Sequence, residues 1–169
     1  AATVVFPFVQ SPGRHPLSPF TLLLESLHAP LALARSVDVK IALEMDLPTQ
    51  ESLELVTRID HESVGLYYNV DNAVKAGGDI VADIHCLGKH LCGVRMNDCL
   101  PVGRNIVEGQ ISPDFPKMFE SLRDIDYHGP ILLQPAIDTH ALKNANAQLD
   151  FVRRGLTGCA NRQECNTPS

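Results

Sequence analysis

Several apolar runs in this sequence give way to polar side chains at their ends, and those side chains differ in kind. Ile41-Ala42-Leu43 ends on Glu44, and Val64-Gly65-Leu66-Tyr67-Tyr68 ends on Asn69, with Asp71 and Asn72 close behind. Val94-Arg95-Met96 leads to Asn97 and Asp98, and Ile131-Leu132-Leu133 ends on Gln134 before Pro135. A carboxylate, amides and a guanidinium converging on one mouth would form a polar pocket with unlike groups on each side. Glu44 is the candidate base, because it ends a run that reads as a fully buried strand, where a carboxylate is more telling than on a solvated loop. Arg95, set between Val94 and Met96, is costly unless it meets Glu44, Asp98 or an anionic ligand. Gln134 can hydrogen-bond but cannot carry charge or act as a base. Asn69-Val70-Asp71-Asn72 reads equally as ligand contacts and as a turn rich in Asx side chains. The histidines say less. His15, His28, His61, His128 and His140 fall in loops or helices, His85 and His90 flank a helix end, and none shows ligand spacing.

The elements that must position these residues follow from periodicity. Five β-branched, apolar runs predict strands: Thr3–Val9, Val39–Glu44, Val64–Asn69, Leu91–Met96 and Ile131–Gln134. Between and after them, helical spacing predicts helices over Leu22–Val37, Pro48–Ile59, Ile80–Leu87 ending at Gly88, Phe115–Ile125, and about Thr139–Arg154. Leu22, Leu23, Leu27, Leu31 and Ala34 share one face of the first helix. Thr49 is the expected N-cap of the second, with Leu53, Val56 and Ile59 as its core stripe. Strand and helix in alternation predict an α/β fold built from parallel βαβ units, as an open doubly wound sheet or as part of a (β/α)8 barrel. In both, chemistry sits at the carboxyl ends of the strands, where the polar residues above fall. No phosphate-binding glycine loop follows any strand, which counts against a nucleotide-binding sheet.

Composition narrows the function. The 169 residues carry 14 Lys+Arg against 20 Asp+Glu, a formal net charge of −6, and the basic residues are scattered. That disfavours a nucleic-acid partner, whose binding relies on cationic neutralisation of phosphates. No apolar run is long enough to span a membrane, and Pro7 interrupts the candidate near the start. Cys86, Cys92, Cys99, Cys159 and Cys165 lack metal-binding spacing and are expected to be free thiols in a reducing, cytoplasmic setting, Cys86 and Cys92 as small core residues. The expected layout is a single domain over residues 1–155 and a loose tail over 156–169.

Five motifs, in order, resemble a known family. They are Ile41-Ala42-Leu43-Glu44, Gly65 to Ala73, Gly93-Val94-Arg95-Met96-Asn97-Asp98, Glu108-Gly109-Gln110-Ile111 with Asp114-Phe115, and Leu122 to Gln134. Together, over about Val39 to Pro135, they resemble the xylose-isomerase-like TIM barrels, in the sugar phosphate isomerase/epimerase group. The resemblance implies a barrel whose mouth holds one divalent metal ion, Mn²⁺, Mg²⁺ or Zn²⁺, on a Glu, an Asp, a His and a second Glu. It implies a small keto-sugar or other hydroxy-carbonyl substrate, and proton transfer through an enediolate, with no membrane or nucleic-acid partner. An endonuclease activity of the same barrel class is disfavoured by the acidic chain and the lack of several His/Asp/Glu ligands.

Carried over by position, Glu44 matches the first Glu, while Asn69 stands at the Asp position, Arg95 at the His position and Gln134 at the second Glu. Glu44 and Gln134 are thus the catalytic candidates, and Asn69, Asn72, Arg95, Asp98 and Glu108 the substrate-binding ones. The metal candidates are Glu44 and Asp71, the latter facing the same side as Asn69 if the strand extends through it. Two amides and a guanidinium in place of three ligands disfavour the metal and remove the second base needed for two-base epimerisation. The alternative reading is a non-catalytic relative that kept the scaffold for ligand binding or assembly. A whole barrel of this kind takes about 250 residues; the five strands here match its last five. The expectation is a partial barrel with two open strand edges, covered by a second copy or another chain.

Overall fold

The computed structural model describes residues 2–8, 19–97, 114–134 and 141–158. Five strands form one sheet in the order β1-β2-β3-β4-β5: β1 Ala2–Phe8, β2 Val39–Met45, β3 Val64–Asn69, β4 Leu91–Asn97 and β5 Ile131–Gln134. Every neighbouring pair is parallel. Helices alternate with them: α1 Pro19–Ser36, α2 Thr49–Ile59, α3 Val70–Lys75, α4 Ile80–Leu87, α5 Phe115–Asp124 and α6 Ala141–Leu156. Sequential order across a parallel sheet is what repeated βαβ crossovers of one hand produce. The result is a curled half-barrel, the partial (β/α)8 solution, with β1 and β5 as its two edges.

Strand alternation divides the sheet into two faces. Ile41, Leu43, Leu66, Tyr68, Val94 and Met96 point toward the helices and join Leu23, Leu27, Leu31, Ala34, Ile84, Met118, Phe119 and Leu122 in the buried core. Their alternates, Ala42, Glu44, Tyr67, Asn69, Gly93, Arg95, Leu132 and Gln134, line the other face, which in a closed barrel is the interior. Tyr68 ties the core side together: its hydroxyl donates to Asp83 of α4 at 2.7 Å. Burial, with the Asp83 carboxylate beside it, pushes this phenol well above its ordinary pKa, so it stays a donor. Phe151 of α6 packs edge-on against Phe115 and Phe119 of α5, with ring centroids 5.9 and 5.6 Å apart.

The turns that return the chain to the sheet share one device. α1, α2, α4 and α5 are each followed by a residue of positive φ: Asp38 (φ 53°), Asp60 (φ 45°, ψ 54°, left-handed), Gly88 (φ 46°, with ψ −125° outside the left-handed helical region) and Asp126 (φ 53°). A left-handed residue ends a helix and reverses the chain within a few residues, which keeps the αβ connections short. Three of the four positions use Asp where Gly is the unstrained choice.

Several local expectations need correction. The residue before α2 is Pro48, whose side chain makes no cap, and Thr49 is already helical. The buried face of α2 is Ser52, Leu55 and Val56, with Leu53 and Ile59 only half-buried. Cys86 and Cys92 are partly buried rather than core. Cys99, Cys159 and Cys165 lie outside the described residues. Of the face expected on α1, Leu23, Leu27, Leu31 and Ala34 are buried.

Candidate functional site

β2 is buried through Ile41, Ala42 and Leu43, so Glu44 is where the strand first meets a more open environment, at its carboxyl end. One strand over, β3 is buried from Val64 to Tyr68 and emerges at Asn69. There the chain does not extend: Val70 begins α3, and Asn69 is its N-cap. The Asx cluster is therefore a helix start, and the extended geometry that would set Asp71 on the same side as Asn69 does not form. Asn69 works at both ends of its amide. Its Oδ1 accepts from the backbone N–H groups of Asp71 and Asn72 at 3.1 and 3.3 Å, and its Nδ2 donates to Glu44 Oε1 at 2.7 Å.

β4 supplies the cation. Asn69 pairs in register with Arg95, and Arg95 with Leu132 on β5. The guanidinium reaches both ways across the sheet: Nη1 lies 3.5 Å from Glu44 Oε1, and Nη2 donates to Gln134 Oε1 at 2.5 Å. Arg95 thus finds a carboxylate, as a charged group in an apolar strand must, in Glu44. The pair is sheltered, with side chains 28% and 15% exposed, so it is less screened than a surface ion pair. Among the described residues, Arg95 Nε is buried with no hydrogen-bond partner, as is Asn97 Oδ1, two residues on along β4. Buried groups left unpaired are uncommon and point to a missing partner.

The floor is a residue that sequence reasoning did not single out. Tyr67, 7% exposed, lies two residues before Asn69 and so on the same face. Its ring covers Gly93: a Cβ there would fall 2.2 Å from Tyr67 Cδ2. The phenol pKa is raised, first by burial, then by the Glu44 carboxylate, with Arg95 acting in the opposite direction. The register of β3 against β4 shifts at Leu66/Tyr67, so two residues of β4, Cys92 and Gly93, take one place in the ladder. Cys92 donates to Leu66 O at 3.3 Å, and burial pushes its thiol up to about 11. That thiol is a structural group and not a nucleophile. The signal for Tyr67 was available only as i, i+2 spacing from Asn69, and an aromatic in an apolar strand reads as core.

The structure therefore brings Glu44, Asn69, Arg95 and Gln134 into one hydrogen-bonded chain across four strand ends. Asn72 is exposed on α3. Asp98 and Glu108 lie outside the described residues.

A family model described as xylose isomerase-like TIM barrel matches residues 1–155. The chain belongs to that family. No curated protein matches its sequence. Among solved structures, it is similar to D-psicose 3-epimerase from Clostridium cellulolyticum H10, with TM-score 0.69, 20% identity, and coverage of 82% of this chain and 56% of that one. It is also similar to the 3-keto-D-glucoside 4-epimerase of E. coli, with TM-score 0.69, 16% identity, and coverage of 89% and 62%. A D-tagatose 3-epimerase-like protein aligns with TM-score 0.68 and 22% identity, covering 95% of this chain and 65% of that one. The chain spans less than two thirds of the length of each. At these identities the likeness is one of fold.

The divalent metal that the family implies does not fit the residues present. The four strand-end positions carry one carboxylate, two neutral amides and a guanidinium, which has no lone pair to give. No group of three His, Cys, Asp or Glu side chains able to hold a metal occurs among the described residues. Two unit charges 4 Å apart interact by about 4 kcal/mol at an effective dielectric of about 20, and a divalent ion beside Arg95 would meet roughly twice that as repulsion.

Proposed function

We propose that the strand-end pocket binds a small polyhydroxylated hydroxy-carbonyl compound, a keto-sugar or its relative, and that Glu44 moves a proton on it. The observation that carries this reading is the arrangement at Glu44. The only carboxylate among the four groups is held from one side by Asn69 and from the other by Arg95, beside a buried guanidinium N–H that has no partner among the described residues. Both bonds fall on Oε1, which leaves Oε2 to take the proton from the carbon beside the carbonyl. As that C–H bond breaks, its electron pair moves onto the carbonyl oxygen, and the Arg95 guanidinium is the group placed to stabilise the oxyanion of the resulting enediolate. Gln134 cannot return a proton from the opposite face. One base serves a proton transfer on a single face of the enediolate, as in moving a carbonyl between adjacent carbons, better than it serves inversion of a centre.

The experiment is solvent exchange. Ketohexoses such as D-tagatose, D-psicose and D-fructose are incubated with the chain in D₂O, and deuterium at the carbon beside the carbonyl is followed by NMR. Exchange that disappears in Glu44→Gln is the expected result; no exchange and no saturation-transfer signal from any of the sugars sinks the proposal. Binding without exchange would favour the second reading, a ligand-binding relative without catalysis, for which the two amides at acidic ligand positions speak. A second copy of the chain is proposed to cover the open inner face, where Leu132 beside Arg95 is 51% exposed.

A further inference from the structure

We infer that the Arg95 guanidinium is the resident cation of this site, standing in for the divalent ion and making ligand binding independent of metal. It rests on the reading of this mouth as the ligand site.

One oxygen at each of the three acceptor side chains that a metal ion would use is already engaged, and Glu44 Oε2 is the acceptor left over. Glu44 Oε1 accepts from Asn69 Nδ2 at 2.7 Å and faces Arg95 Nη1 at 3.5 Å. Gln134 Oε1 accepts from Arg95 Nη2, and Asn69 Oδ1 caps α3. A guanidinium presents five N–H donors in a planar fork and never loses its charge at ordinary pH. One N–H on each of Nη1 and Nη2 is spent on Glu44 and Gln134, and three remain, of which Nε is buried and has no partner among the described residues. The three departures, at Asn69, Arg95 and Gln134, are mutually consistent. A fixed positive charge replaces a bound one, and the two positions flanking it become amides whose oxygens accept from N–H donors without adding charge. A lone substitution of His by Arg among three retained acids would instead have left a surplus of negative charge.

Mn²⁺ titration of the full chain, read by electron paramagnetic resonance and calorimetry, tests this without any carbohydrate, so its outcome is independent of whether a sugar binds. The native chain is expected to bind no Mn²⁺, and its melting temperature to be the same in EDTA and in Mn²⁺. The double variant Asn69→Asp/Arg95→His is expected to gain Mn²⁺ affinity by at least about tenfold, the least that removing a positive charge at coordinating distance should give. One Mn²⁺ bound by the native chain and lost in Glu44→Gln would overturn the inference. So would a double variant that keeps the native circular dichroism spectrum yet binds no better, since the guanidinium would then not be what excludes the ion. If that variant does not fold, the titration of the native chain against Glu44→Gln decides alone.

Discussion

Asn69 shows how one side chain can serve local structure and the site at once. An Asn at the end of a strand is the natural N-cap for a helix that starts there, and the cap fixes the amide so that its N–H₂ points across to Glu44. Gly93 plays the complementary part by absence. Its missing side chain is the space Tyr67 occupies, so the pocket floor depends on a contact that any Cβ would break. Gly93→Ala should cost about 1–3 kcal/mol, the usual range for overpacking, in urea unfolding. It should also weaken ligand binding, because the displaced ring borders both Glu44 and Arg95. A variant as stable as the native chain would show that Tyr67 has room to move. The pairing of Arg95 with Glu44 was legible from sequence because charged groups at the ends of apolar runs need a partner. Tyr67 was not, because its type suits the core equally well, and only the register of β3 and β4 reveals which face it takes.

At the scale of elements, strands and helices were readable because alternation and helical spacing are local. α3 was hidden for a physical reason: Asn-Val-Asp-Asn satisfies a turn and an N-terminal helical turn with the same side-chain-to-backbone hydrogen bonds. The misplaced N-cap of α2 has a similar origin, since Thr49 has the right chemistry but Pro48 takes the flanking position without a capping side chain. The left-handed turn residues give a prediction at this scale. Asp60 holds φ 45° at the end of α2, and its backbone N–H bonds to Val56 O at 3.2 Å. Asp60→Gly should raise stability by up to about 1 kcal/mol by relieving a backbone that L-residues adopt at a cost. The check is a higher urea midpoint at an unchanged slope. A lower midpoint would mean that the extra freedom of Gly in the unfolded chain outweighs the relief.

At the scale of the molecule, the half-barrel presents the face that a closed barrel would hide. A closed barrel has no edges, whereas this sheet has two, and both are blunted as a drain on further strand pairing. β1 contains Pro7, which has no N–H to donate, and β5 spans four of the described residues. Strand addition is thus poorly served, while side-chain burial is well served. Val5 at 38% and Leu132 at 51% exposure flank Ala42, Glu44, Tyr67 and Arg95 on the inner face, which leaves apolar surface on both sides of the polar pocket. Two copies meeting over this face would bury those side chains and shield the Glu44–Arg95 pair further from solvent, strengthening its electrostatics. A second copy there would bear on the chemistry as well as on the covering of apolar surface. Sedimentation equilibrium should give a mass about twice the 18.5 kDa of one chain. Leu132→Lys should shift it toward the monomer and weaken sugar binding in parallel, because a charge placed on the apolar rim opposes burial there. A native chain that stays monomeric at every concentration would rule out the second copy as the cover, and coincident loss of dimer and of binding would tie the open face to the pocket it surrounds.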